Sequence, residues 1–138
     1  MRLAKVFAFG EKVQDISFKN RVVDAILATA GGEGDATASL IPAGLDVDII
    51  YRATRTESPA RRLMVDLHVA YGDSTYVNHE EVMNHEFLID LSQRLLRDME
   101  HERVEVWVNC DYHEHEEGTV CPQEGVQTAG PPERMEEA

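Results

Sequence analysis

The stretch that most constrains this chain runs over residues 78–111, where a helical pattern feeds directly into an alternating one. Val82, Met83, Phe87, Leu91, Leu95 and Met99 recur at three- and four-residue spacing, and Leu88, Ile89 and Leu96 widen the stripe. This predicts a helix over 79–100 with one apolar face. Asn78 and Glu81 stand as a capping pair, whose side-chain oxygens satisfy amide donors that a first turn leaves open. Glu80, Glu81 and Glu86 precede Arg94 and Arg97, the order that complements the helix dipole, and Asp90 stands four residues before Arg94. Val104, Val106, Val108 and Cys110 then alternate with Glu105, Trp107 and Asn109, the period of a half-buried strand. Helix and strand are expected to pack on each other.

The rest of the chain supplies partners for that unit. Residues 3–9 are apolar apart from Lys5 and read as a short buried strand closed by Gly10. Asp15 or Ser17 can cap a second helical pattern, Phe18, Val22, Val23, Ile26, Leu27 and Ala30, which Gly31 and Gly32 stop. Residues 31–44 read as a glycine-rich loop. Its run Gly31, Gly32, Glu33, Gly34, Asp35 is no phosphate cradle: it follows a helix, lacks the Lys-Ser/Thr ending and puts carboxylates where phosphate would sit. Val47, Ile49, Tyr51 and Ala53 alternate with polar neighbours, as do Leu63, Val65, Leu67, Val69 and Tyr71 after the turn-like 56–59. These predict a hairpin. The resulting order, β-α-β-β-α-β, predicts an α+β two-layer sandwich, ferredoxin-like or related, because order alone does not fix strand pairing. One domain is expected over 1–115, followed by a flexible polar C-terminal arm over 116–138 rich in Gly, Pro and Glu.

Twenty-six acidic residues against 13 basic ones leave a formal net charge of −13, so the overall field opposes nucleic acid and anionic membrane surfaces. With 138 residues and 43% hydrophobic content, one core can form without disulfides, and two cysteines are too few for a disulfide framework. The opening ten residues lack an apolar run of signal-peptide length, and no run of about eighteen apolar residues occurs anywhere. The expectation is a soluble cytoplasmic protein with reduced thiols.

Three clusters bear chemistry. Cys110, His113, His115 and Cys121 are the right ligand types and number for tetrahedral zinc, although their spacing matches no paired-ligand knuckle. On a continuous strand Cys110 and His113 would face opposite ways, so the chain must bend for both to reach one ion. The plainer reading is a buried Cys110 beside a solvated acidic loop, with no cofactor. Asp66 and His68 share one face of a predicted strand, where a carboxylate can orient an imidazole for proton transfer. No serine stands in a nucleophile elbow and neither cysteine has an assignable base, so the residues favour a non-enzymatic chain. Arg52, Arg55, Arg61 and Arg62 gather around the predicted hairpin, where guanidinium groups can grip carboxylates of another subunit.

Two resemblances rest on short patterns. The helix over 18–28, the loop after it, the strands over 47–51 and 62–71 and the helix over 88–99 resemble the α/β tail-terminator or neck subunits of bacteriophage tails. That resemblance implies a ring-forming structural protein of the virion without a cofactor. Residues 87–91 leading into 104–108 are similar to a helix and strand of pterin-processing tunnelling-fold enzymes, which implies Asp90 as the matching anchor for a pterin.

Taken together, these features lead to the expectation of a non-enzymatic assembly protein acting as a homo-oligomer through its arginine-rich hairpin, glycine loop and C-terminal arm. The alternatives are a zinc-stabilised binding module, a small pterin-type or Asp/His enzyme, and an acidic mimic of DNA.

Overall fold

The residues expected to open the chain as a strand form helix α1 (Arg2–Val13). In the computed structural model, which describes residues 2–31, 40–100, 109–119 and 121, Ala4 and Phe7 bury one side of this helix and Gly10 sits in the contact with the next. A Cβ on Gly10 would stand 2.8 Å from Lys19 Cγ and 2.9 Å from Phe18 Cδ1, so the glycine serves close helix approach and does not end the element. The helix ends at Gln14, whose φ of 55° is left-handed. Asp15 N–H donates to Gly10 O and Gln14 N–H to Glu11 O, both at 3.2 Å, the two bonds of a Schellman stop.

Helix α2 (Ile16–Ala30) follows as its spacing predicts. Asp15 caps it, its Oδ1 accepting from Phe18 N–H at 2.9 Å, and Val22, Val23, Ile26 and Ala30 are buried. Residues 32–39, which held most of the glycine loop, lie outside the described residues.

The predicted hairpin is replaced by two helices, α3 (Gly44–Ala53) and α4 (Pro59–Tyr71). This overturns the α+β sandwich: among the described residues every regular element is helical. The cause is visible in which residues are buried. In α3 Val47, Ile50 and Tyr51, and in α4 Ala60, Leu63, Met64, Leu67 and His68, form buried stripes at three- and four-residue steps, to which Gly44, Asp48, Arg61 and Val65 add further buried positions. The same stretches also satisfy a period of two because their apolar residues are nearly continuous, and periodicity alone does not separate the cases. The start of α4 does. Ser58 Oγ accepts from Ala60 N–H at 3.3 Å and Pro59 occupies the first turn, where its missing N–H costs nothing. The strands on which the tail-terminator resemblance was drawn are therefore helices.

Helix α5 (His85–Glu100) starts later than expected. Asn78 Oδ1 accepts from Glu80 and Glu81 N–H in a separate turn, and the true cap is Asn84, whose Oδ1 accepts from Phe87 N–H at 3.0 Å. Only Phe87 and Leu91 are buried, while Leu95, Leu96 and Met99 are exposed. Asp90 does not pair with Arg94 but accepts the Tyr51 hydroxyl at 2.8 Å, while Arg94 reaches Asp66 at 2.6 Å and Asp98 at 3.1 Å. The strand expected over 104–110 falls mainly on 101–108, outside the described residues, and Cys110 belongs to a 3-10 turn, Asn109–Tyr112.

Helix α1 packs on α2 and α3, α4 packs on α5, and the 3-10 turn lies against α2 and α4. The core is centred on Phe7, Val23, Ile26, Ile50, Leu63 and Phe87.

Candidate metal centre

Helix α2 carries its polar residues Lys19, Asn20 and Asp24 toward the segment that follows the last 3-10 turn. Asn20 and Asp24 are four apart and so share a face. Asn20 Nδ2 donates to Glu114 O and Asn20 Oδ1 accepts from Glu114 N–H, both at 3.0 Å. Lys19, buried against α1, pairs with Glu114 and with Glu11 at 3.1 Å. Burial alone would lower the Lys19 pKa, but the two carboxylates outweigh it and hold it above its ordinary value. Asp24 Oδ1 lies 2.6 Å from His113 Nε2. On the other side, Arg62 on α4 donates to Asp111 O at 3.2 Å.

Pinned this way, the segment folds back on itself and brings its thiols and imidazoles together. One ligand atom each from Cys110, His115 and Cys121 lies within 4.8 Å of the others. Cys110 Sγ stands 3.3 Å from His115 Nε2. Although His113 is not one of those three, its Nδ1 is 3.6 Å from Cys121 Sγ. In a tetrahedral zinc site with Zn–S of about 2.3 Å and Zn–N of about 2.0–2.1 Å, neighbouring sulfur and nitrogen ligands are about 3.5 Å apart. Both sulfur–nitrogen distances match that edge. His113 and Cys121 are buried, Cys110 is half-buried and His115 exposed. The bend that a continuous strand would have forbidden is supplied by the 3-10 turn, which ends at Tyr112. Cys121, expected in a flexible arm, returns to the body of the protein as a buried residue.

His113, His115 and Cys121 line a groove of about 850 Å³ together with Val13, Ile16, Arg21 and Asp24 from α1 and α2. The donor set of thiols and imidazoles suits zinc, which favours sulfur and nitrogen ligands, over the oxygen-seeking calcium and magnesium ions.

The other candidates disperse. Asp66 and His68 lie on a helix and no longer share a strand face. Asp66 pairs with Arg94. His68 turns inward, with Nδ1 2.7 Å from Met64 O and its ring edge-on to Phe87 and Tyr76. Arg52 sits in the last turn of α3 and pairs with Asp48 at 2.9 Å; Arg55 is exposed in the α3–α4 connection. Arg61 is buried. It donates to Tyr51 O, Thr54 O and Thr54 Oγ1, pairs with Glu86 and lies 4.6 Å from the Tyr51 ring centroid. The arginines are thus spread over two helices and their connection, with Arg61 committed to the interior.

Sequence reasoning missed Asn20, Asp24 and Lys19. Their signal was present as polar residues at helical spacing, but such residues ordinarily mark a solvated face.

No protein-family model matches this chain, and neither a curated protein nor a solved structure matches it.

Proposed function

We propose that this protein is a metal-centred binding module, in which zinc held by Cys110, His115 and Cys121 locks the C-terminal loop onto α2 and so shapes the adjoining groove. The convergence of two thiols and an imidazole within 4.8 Å carries this reading. Among them Cys110 and Cys121 are eleven positions apart in the chain, so local geometry alone does not bring them together. Zinc would supply folding free energy by crosslinking the loop, and its ligands must be deprotonated to bind it. The groove, with apolar positions Val13 and Ile16 beside the charged Arg21 and Asp24, is the recognition surface the module offers.

Native mass spectrometry of reduced protein, purified without added metal or chelator, tests the reading. One zinc per chain is expected, and its removal by a chelator should lower the melting temperature. A metal-free mass after zinc addition, with a melting temperature that a chelator leaves unchanged, would overturn it. The same spectrum reports the number of subunits.

A further inference from the structure

Building on the metal reading, we propose that His113 is the fourth ligand, bound through Nδ1, and that Asp24 on α2 is the positioning residue that directs it. The argument starts from the carboxylate. An ionised Asp24 is an acceptor only, so at 2.6 Å from His113 Nε2 it takes a hydrogen bond from an Nε2–H. In the neutral ring that leaves the lone pair on Nδ1, the nitrogen 3.6 Å from Cys121 Sγ. Asp24 thereby selects the tautomer whose free lone pair faces the sulfur cluster. Metal-binding histidines characteristically donate their second ring N–H to such a carboxylate, which fixes the ring and raises its basicity.

Position supports the same assignment. His113 is buried and follows directly on the 3-10 turn that carries Cys110. The neighbouring Glu114 is clamped at both its backbone N–H and its carbonyl by Asn20. The ring thus has little freedom to serve as a passing surface group. With His113 added, the donor set becomes two thiolates and two imidazoles, a closed site of the structural kind. Because Asp24 belongs to α2, the metal joins the C-terminal loop to the helical body through a side chain distant in sequence.

The test is titration of cobalt(II) into the full-length, reduced, metal-free protein, with circular dichroism confirming that each variant is folded. The wild type should take up one cobalt with intense visible bands of a tetrahedral centre. His113→Ala should bind more weakly with altered bands, and added imidazole should restore them. His113→Cys should keep tight binding while shifting the spectrum toward a three-sulfur centre, a readout that a merely structural role for the ring would not move. Asp24→Asn should keep the wild-type bands but weaken affinity about 10–100-fold. A His113→Ala protein with wild-type affinity and spectrum would remove His113 from the site. Unchanged affinity in Asp24→Asn would remove the positioning role. Folded wild type that binds no cobalt would instead defeat the metal reading itself.

Discussion

The side-chain amide of Asn20 and the backbone of Glu114 form a reciprocal pair, with Nδ2 donating to the carbonyl and Oδ1 accepting from the N–H, each at 3.0 Å. The amide thereby presents the donor and acceptor that a neighbouring strand would present, and it fastens a segment with no helical pattern of its own. Replacing it should expose what that fastening contributes. Asn20→Ala is expected to lower stability by about 1–2 kcal/mol, the loss of two neutral hydrogen bonds at a half-buried position. Denaturant unfolding at fixed zinc concentration measures this. A change below about 0.5 kcal/mol, the range of an ordinary surface substitution, would show that docking rests elsewhere.

Arg61 and Tyr51 make a second such relationship, one that directs Arg61 into the protein. The guanidinium lies over the Tyr51 ring and closes the end of α3 by donating to the Tyr51 and Thr54 carbonyls at 2.8 and 2.7 Å. Those carbonyls belong to the last turn of α3 and to its cap residue; a helix leaves such groups short of partners, and Tyr51 O takes from the backbone a long bond of 3.4 Å, from Thr54 N–H. Lysine keeps the charge but lacks the fork. Arg61→Lys should therefore cost about 2–4 kcal/mol, while Arg55→Gln, exposed in the α3–α4 connection, should stay within about 0.5 kcal/mol. Equal effects in thermal unfolding would contradict this division of labour.

His68 makes stability depend on pH. Burial pushes its pKa below the ordinary value of 6.5, and the hydrogen bond with Met64 O offsets this only in part. Above pH 6.5 the ring is neutral in both folded and unfolded chains, and its contribution to stability is complete. As pH falls below that value the unfolded chain takes up a proton that the folded protein resists. Stability is therefore lost progressively toward the lower folded pKa. Unfolding free energies of wild type and His68→Leu, measured between about pH 8 and 5, should differ in slope only on the acid side. Parallel curves would show that His68 is not the group responsible. Taking the difference between variants cancels any contribution from the proposed metal centre, whose loss acid would promote in both.

Of the five helices among the described residues, only α2 and α5 were legible as helices along the chain; α1, α3 and α4 read as strands. Helix α2 was readable because Asp15 caps it and its apolar residues satisfy only one period. For α4, Leu63, Val65, Leu67 and Val69 satisfied the strand period as well as the helical one, and the deciding signal was the Ser58-Pro59 start, which also reads as a turn. In α5 the extended apolar stripe led to a start at His79, whereas Asn84 is the residue whose side chain caps the first turn. Near-continuous apolar runs are ambiguous because burial on two sides removes the polar residues that mark a phase.

The acidic net charge, the course of α2 and the chemistry of the candidate ligands follow from the residues alone, since Cys110, His113, His115 and Cys121 carry the donor types that zinc favours whatever the backbone does. Only the tertiary structure decided that the chain is helical where it alternates and that Arg61 turns inward. It alone brought Cys121 back beside Cys110 and set Asp24 behind His113. The reason is distance along the chain. Local pattern reports what neighbouring residues prefer, whereas His113 and Asp24 are 89 positions apart and meet only because Lys19 and Asn20 hold the loop against α2.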